Sequence, residues 1–476
     1  MAKTVFVSGR FNVLHPGHVR LLQFARSCGD RLVVGVESDK LAGDGSHVAE
    51  HLRLEGVRSC SYVDDAFLID SSVLESIGEL QPAIVVKGRE HEHRYNIEKA
   101  AVDAYGGKLL FSAGEVVFTS RDLIRREFSI SPRQNWRMPL EFMSRHDISI
   151  ERLKAILARY SKLRVLVVGD LIIDEYISCD PLGMSQEDPT LVVKPIDSQR
   201  FVGGAGIVAA HASGLSANSS LLTVVGVDSE ADFARQRLAE MSVVPIVLDD
   251  ETRPTTLKSR YRCQGKTLLR VSRLHQAPIS SELCSLALQR VARMASEVDL
   301  IVFSDFNYGV LPQQFVDKLT AIFKAGGATM VADSQSSSQV GDVGRFKDMD
   351  LLTPTEREAR ISTRNVEDGI NVLAEQLRVG ARAKSVFLKL GEEGALICSQ
   401  TSPDQLEPPD QIEALNSFPK DVSGAGDSML IASGMALAAG ASAWEAACLG
   451  SMAAAIQVGR VGNVPISMSE MLGVIN

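Results

Sequence analysis

Residues 4–128 alternate short β-branched apolar runs with stretches whose apolar residues recur at helical spacing. The runs are Val5-Phe6-Val7, Arg31-Leu32-Val33-Val34-Gly35-Val36, Ala83-Ile84-Val85-Val86 and Lys108-Leu109-Leu110-Phe111. Continuous apolar strands separated by amphipathic helices predict βαβ units and a parallel sheet covered on both faces. The period is lost over 129–147, where Pro132 and Pro139 interrupt any helix or central strand, so 131–148 reads as a linker. A helical pattern at 149–160 then leads into a second alternating region, with strands expected near 164–168, 300–303, 329–332, 350–352 and 386–388. Two segments, 191–201 and 255–274, keep strand alternation without helices, as a β-flap standing off the main sheet would. The expectation is an α/β chain of two Rossmann-like, doubly wound domains, 1–130 and 149–476, the second carrying the flap. Such a flap exposes strand edges and an apolar face, so it is expected to cover a site and to pair with a second copy, giving a homodimer.

Length supports two domains, because 476 residues exceed what one hydrophobic core usually holds. A composition of 45% hydrophobic and 23% charged residues is that of an ordinary globular protein. The net charge of −9 carries no global footprint for nucleic acid or an anionic membrane, while leaving room for local basic pockets around phosphates. Seven scattered cysteines with no C-x-x-C pair argue against zinc and against a disulfide framework, and fit reduced thiols in the cytoplasm. Met1-Ala2-Lys3-Thr4-Val5-Phe6-Val7 runs into a strand without a signal-peptide pattern. The most apolar stretch, 430–458, is rich in Ala and Gly and carries Glu445, which suits two buried helices better than a membrane span.

Chemistry concentrates at two turns. In Val7-Ser8-Gly9-Arg10-Phe11-Asn12-Val13-Leu14-His15-Pro16-Gly17-His18, a glycine-bearing strand end and two histidines stand directly before a helix. Imidazoles at 15 and 18, beside a helix N-terminus, suit charge developing on a triphosphate as pyrophosphate leaves. The plainer alternative is that they cap the helix. This segment resembles the nucleotidyltransferase superfamily whose members transfer AMP or CMP to small phosphorylated substrates, over residues 4 to about 128. Gly29-Asp30-Arg31 with Ser38-Asp39, Arg53, Val86-Lys87-Gly88 and Thr119-Ser120 match further family positions. The resemblance implies His15 and His18 as catalytic, with Gly9, Phe11, Lys87, Gly88, Thr119 and Ser120 around the nucleotide. Asn12 stands where many relatives have Asp, and the charged Arg89-Glu90-His91-Glu92-His93 replaces a shorter loop. His91 and His93 lack an evident third metal ligand, so a solvated or substrate-facing loop is the reading there.

The second turn is Asp421-Val422-Ser423-Gly424-Ala425-Gly426-Asp427. Its glycines let backbone amides close around a transferring phosphoryl group at the start of an apolar helix, with Asp427 in reach of the attacking hydroxyl. These residues resemble the signature of ribokinase-type (PfkB) carbohydrate kinases, over about 160 to 476, and imply a ribokinase-like fold. The resemblance makes Asp427 the base and places Ser423, Gly424, Ala425, Gly426, Lys389 and Gly391 at the nucleotide and its phosphates. It places Asp170, Asp174, Gly203 and Gly204 at the sugar, and Lys258, Arg260 and Arg270 of the flap at a phosphate already on that sugar. Ile207, Tyr308 and Thr355 replace Asn, Lys and Asn of the family, and Asp333-Ser334-Gln335 replaces Asp-Pro-Lys.

Together the halves resemble the bifunctional heptose-7-phosphate kinases and heptose-1-phosphate adenylyltransferases, with the transferase half first, the reverse of the usual fusion. Mg²⁺ and ATP, or CTP for the transferase half, are the implied co-substrates, with no metal site built from protein alone. Two alternatives stand beside heptose: another sugar or polyol phosphate, and a kinase-like half that is a non-catalytic dimerisation and sensing module.

Overall fold

A computed structural model describes residues 3–12, 14, 16–42, 48–88, 96–111, 136–185, 187–188, 190–263, 266–336, 340–402, 405–406 and 408–475. The chain divides into two compact units, Met1–Arg133 and Gln134–Asn476, each α/β with a parallel sheet.

In the first unit, strands β1 (Thr4–Gly9), β2 (Arg31–Glu37), β3 (Asp65–Ile69), β4 (Ile84–Lys87) and β5 (Lys108–Phe111) form one parallel sheet in the order β3-β2-β1-β4-β5. Side chains of successive residues alternate between faces, so Val5, Val7, Val34 and Val36 pack with Leu22 and Ala25 of helix Pro16–Ser27. Phe6, Val33 and Val85 pack on the other face with Ile77 and Val102. The strand order reverses between β1 and β4, which opens a crevice at their C-terminal ends. The apolar pattern missed β3, an edge strand buried at Ala66 and Ile69.

The second unit carries β6 (Arg164–Gly169), β7 (Leu171–Met184), β8 (Leu191–Gly204), β9 (Asn218–Val225), β10 (Val244–Asp249), β11 (Thr256–Cys263), β12 (Lys266–Arg273), β13 (Leu300–Asp305), β14 (Thr329–Ser334), β15 (Leu351–Leu352), β16 (Ser385–Lys389), β17 (Ala395–Ser402), β18 (Gln405–Leu406) and β19 (Asp410–Ile412). Its main sheet runs β10-β9-β6-β13-β14-β15-β16-β17-β18, with β19 also on β17. The pairs from β10 to β16 are parallel and those made by β17 antiparallel. The flap is a separate four-stranded sheet, β12-β11-β7-β8. It is larger than the two segments the pattern marked, because β7 begins in the core and only its far half is exposed.

The apolar stretch after residue 424 forms two buried helices, Ala425–Ala438 and Ala443–Val458. Ser442 and Glu445 make a capping box at the second, and Glu445 also binds Arg152 at 2.7 Å. Among the described residues no helix is long and apolar enough to cross a membrane.

The expected linker at 131–148 is corrected over its described part. Arg137 N–H donates to Leu415 O at 2.8 Å, and Leu140–Arg145 is a helix starting immediately after Pro139, where a proline costs no hydrogen bond. Arg145 and His146 both bind Asp410, and His146 stacks on Trp444 at 3.9 Å, so the segment belongs to the second unit. Apolar period alone could not reveal this short helix, which is held by polar and aromatic contacts to residues far along the chain.

Gly204 closes the flap onto the sheet with φ 57° and ψ −140°, a conformation essentially reserved for glycine. A methyl group there would also lie 2.3 Å from Asp170 O. Gly204→Ala is therefore expected to destabilise the second unit by roughly 2–4 kcal/mol, strain and overpacking together. Thermal unfolding read by circular dichroism checks this; an unchanged melting temperature would show that the turn relaxes freely.

Candidate active sites

In the first unit, β1 ends at Gly9, level with Gly88 beyond the end of β4 by the register Val7 to Val86. Phe11 follows with φ 47°, unusual for a bulky residue, and its buried ring lies 5.0 Å from the His18 ring in the first turn of helix Pro16–Ser27. That ring also lies against Gly9, where a methyl group would meet it at 3.4 Å, an ordinary contact. The structure thus brings Gly9, Phe11 and His18 together at the crevice. Arg53 is buried and donates to Arg10 O at 2.6 Å, Glu37 O at 2.8 Å and Asp39 at 2.6 Å, which ties down the ends of β1 and β2. Lys87, expected to border the nucleotide, is engaged by Glu98 at 2.6 Å in a largely buried pair. His15, His91, His93, Thr119 and Ser120 lie outside the described residues.

In the second unit, the C-terminal turn opens helix Ala425–Ala438 with Gly424 at φ 79°, the left-handed conformation glycine adopts without strain. The first intrahelical bond is Ser428 N–H to Gly424 O at 3.0 Å, so the amides of Gly426 and Asp427 precede the helical ladder and point out of its N-terminus. The Ala425 N–H, expected in the same cradle, leans instead toward Val422 O at 3.4 Å. Asp421 fixes the turn by accepting from Ser423 N–H at 3.0 Å, Gly462 N–H at 3.2 Å and the Tyr176 hydroxyl of the flap at 3.1 Å. Burial raises its pKa, but these hydrogen bonds win and hold it below the usual carboxylate value.

Asp427, the third residue of the turn's helix, is 6% exposed. Its carboxyl is pushed up to about 7, first by burial and then by the Asp333 carboxylate, against the opposing charges of Lys389 and Lys258. Gln335 donates to its Oδ1 at 3.0 Å. Lys389, expected at the nucleotide and its phosphates, ends strand β16. Its buried ammonium binds Asp333 Oδ2 at 2.7 Å and faces Gly426, where a methyl group would lie 3.1 Å away. Burial opposes that ammonium, yet Asp333 and Glu358 outweigh it and hold the lysine charged. Asp333 is itself pushed up to about 6 by burial, and its Oδ1 is buried with no hydrogen-bond partner. Gly391, in the turn after β16, has φ 63° and open space around it.

On the acceptor side, Asp174, Tyr176, Lys258 and Arg260 share one face of the flap, because β7 and β11 pair Asp174 with Lys258 and Tyr176 with Arg260. Arg260 binds Asp174 Oδ1 at 2.5 Å, and Asn463 donates to its Oδ2 at 3.0 Å. Lys258 lies 5.1 Å from the Phe306 ring and 5.0 Å from the Tyr308 ring, while Arg260 and Arg262 flank the Tyr176 ring. Arg270 is exposed on β12 opposite Arg260. Gly203 abuts Asp174, 2.2 Å from where its side chain would begin.

The expected sugar contact at Asp170 is corrected. This residue is buried and accepts three backbone amides, Phe306 at 2.8 Å, Val310 at 3.2 Å and Tyr308 at 3.3 Å, so its carboxylate shapes the loop after β13. Asp174 alone of the two lies with the flap cations.

Sequence reasoning missed Tyr176 and Asn463 as parts of this site, and gave Asp333 and Gln335 only as a departure from a family motif, without a role. Tyr176 was findable, standing two residues from Asp174 on a strand and hence on the same face. Asn463 had no such signal.

Two family models match the chain: the pfkB family carbohydrate kinase over residues 162–469 and the cytidylyltransferase-like model over residues 6–137. Bifunctional protein HldE of Desulfatibacillum aliphaticivorans is 31% identical over 316 residues, 66% of this chain and 63% of that protein. Bifunctional protein HldE of Syntrophotalea carbinolica is 29% identical over 328 residues, 67% of this chain and 64% of that protein. The match thus spans just under two-thirds of each relative's length. Among solved structures, Arabidopsis thaliana ribokinase complexed with ribose and ATP shares the fold at TM-score 0.53 and 18% identity, covering 66% of this chain and 99% of that one. Escherichia coli phosphofructokinase-2 with fructose-6-phosphate does so at TM-score 0.54 and 16% identity, covering 66% of this chain and 98% of that one. A ribokinase-like α/β unit with this signature turn, matched over more than half the sequence, means that the chain belongs to the pfkB family of carbohydrate kinases.

Proposed function

We propose that the chain is a bifunctional transferase. Its second unit phosphorylates a sugar phosphate with ATP, and its first unit joins the product to a nucleotide. The observation that carries this reading is Asp427, a buried carboxyl held near 7 beside the open amides of a helix N-terminus and facing flap cations. In the kinase step Asp427 takes the proton of the acceptor hydroxyl. The freed oxygen attacks the γ-phosphorus, the bond to the β–γ bridging oxygen breaks, and ADP leaves. Gly426 and Asp427 amides with the Lys389 ammonium supply the positive environment for the transferring group. Lys258, Arg260 and the more distant Arg270 suit an acceptor that already bears a phosphate, since one flap carboxylate, Asp174, is outnumbered by cations.

In the transferase step a phosphate oxygen of the product attacks the α-phosphorus of ATP or CTP, and pyrophosphate leaves. His18 and the amides at the start of helix Pro16–Ser27 stabilise the added charge. Magnesium bound with the nucleotide would neutralise phosphate charge, and the unpartnered Asp333 Oδ1 offers the hard oxygen such an ion takes. Heptose-7-phosphate is the first candidate acceptor, supported by the HldE relatives; reaching ADP-heptose then needs a separate phosphatase to hydrolyse the 7-phosphate ester of the bisphosphate before nucleotidyl transfer. The engagement of Asp174 by Arg260 favours keeping other sugar and polyol phosphates in the panel.

Phosphorus NMR of the protein with ATP, CTP and a panel of C7, C6 and polyol phosphates tests both steps. New ester and diphosphate signals support the reading, and none with any acceptor removes it.

The reading includes a homodimer formed through the flap, working in the cytoplasm on small molecules without nucleic acid or membrane. Leu182, Met184, Leu191, Ile196 and Leu269 are exposed on the flap strands, apolar surface that favours burial against a second copy. Sedimentation is expected to give a dimer for the parent and a monomer for Leu269→Asp; a monomeric parent at micromolar concentration refutes it.

A further inference from the structure

Helix Ala425–Ala438 carries Asp427 into a crowded polar cluster, and the question its geometry raises is what keeps that carboxylate aimed. The charged groups acting on it are Asp333 from β14, Lys389 from β16, Asp174 from β7 and Lys258 from β11. Left to electrostatics alone, Asp427 and Lys389 would close on each other, which would neutralise the base and remove the ammonium from the phosphate turn. Two contacts hold them apart: Asp333 takes the Lys389 ammonium at 2.7 Å, and the Gln335 amide takes Asp427 Oδ1 at 3.0 Å.

We propose that Gln335 is a positioning residue for phosphoryl transfer, clamping one oxygen of the Asp427 carboxylate so that the other faces the acceptor hydroxyl. The proposal rests on Asp427 being the base. Gln335 is built for the task, because its backbone is pinned on both sides. Its N–H donates to Asp305 O at 2.8 Å, and its carbonyl accepts from Asn307 Nδ2 at 3.1 Å. Asn307 reaches it with φ 61°, a left-handed conformation that asparagine tolerates better than most residues. Only the side-chain torsions of Gln335 are then left to vary, and its amide reaches the carboxylate from a fixed base. An ionised carboxylate offers no proton, so the amide must present its N–H. Being neutral, it orients the oxygen without drawing the base into an ion pair.

The test uses the full chain with Gln335→Met, of similar reach but no donor, and Gln335→Lys, a donor with charge. Gln335→Met is expected to lower kcat about tenfold, the scale of a lost hydrogen bond to a charged group, with KM for ATP and acceptor little changed. Gln335→Lys is expected to move the acid limb of the kcat profile to lower pH. The carbon-13 titration of the Asp427 carboxyl in aspartate-labelled protein, assigned with Asp427→Asn, should move with it. Parental kcat in Gln335→Met overturns the proposal, as does an Asp427 titration that Gln335→Lys leaves unmoved. A parent that phosphorylates no acceptor overturns instead the reading of Asp427 as base, while the titration still decides whether Gln335 controls that carboxyl.

Discussion

Asp427→Asn is expected to lower phosphoryl transfer by about 10²–10⁴-fold, the range a general base contributes, while pyrophosphate release by the first unit continues. The parent's kcat should fall about tenfold per pH unit below about 7, where the base becomes protonated, and the variant should lose that dependence. Stability should move the other way. In the folded chain this carboxyl titrates near 7 against 3.8 ordinarily, so between those values the unfolded chain releases a proton that the folded chain keeps. Folding is weakened progressively across that window and remains weakened above it. Asp427→Asn should therefore melt higher than the parent at about pH 8 and show a smaller difference at about pH 5. Turnover assays at saturating ATP and thermal melts at both pH values check the two halves. A variant with parental turnover would exclude Asp427 as the base.

The second large effect is expected at His18→Ala, which should abolish nucleotidyl transfer, by roughly 10²–10³-fold on the scale of a lost transition-state donor, and leave phosphoryl transfer unchanged. The ring sits in the first turn of helix Pro16–Ser27 against Phe11, so the substitution removes a donor at the crevice without opening the sheet core. Pyrophosphate release coupled to a colour reaction measures it. Undiminished release would leave His18 as a helix-capping residue only.

Both effects trace to segments readable one residue at a time. Gly9 to His18 and Asp421 to Asp427 are contiguous, and a helix N-terminus with glycine in front of it makes an anion site from local backbone alone. The parallel strands were equally legible, because strands buried on both faces must be apolar throughout. The helix Leu140–Arg145 escaped notice because six residues are too few to write a helical period.

What the sequence by itself determined is the two-unit α/β architecture and the pair of glycine-bearing turns that open helices, one of them carrying the candidate base. What only the tertiary structure decided is the charge pairing around that base. Lys389 turned inward to Asp333, Asp170 was drawn into the loop after β13, and Asp174 met Asn463 from 289 residues away. A motif records covalent neighbours, whereas the partner of a buried charge is whichever group the packed strands and helices bring within about 3 Å, and the cost of leaving such a charge unpaired enforces the choice.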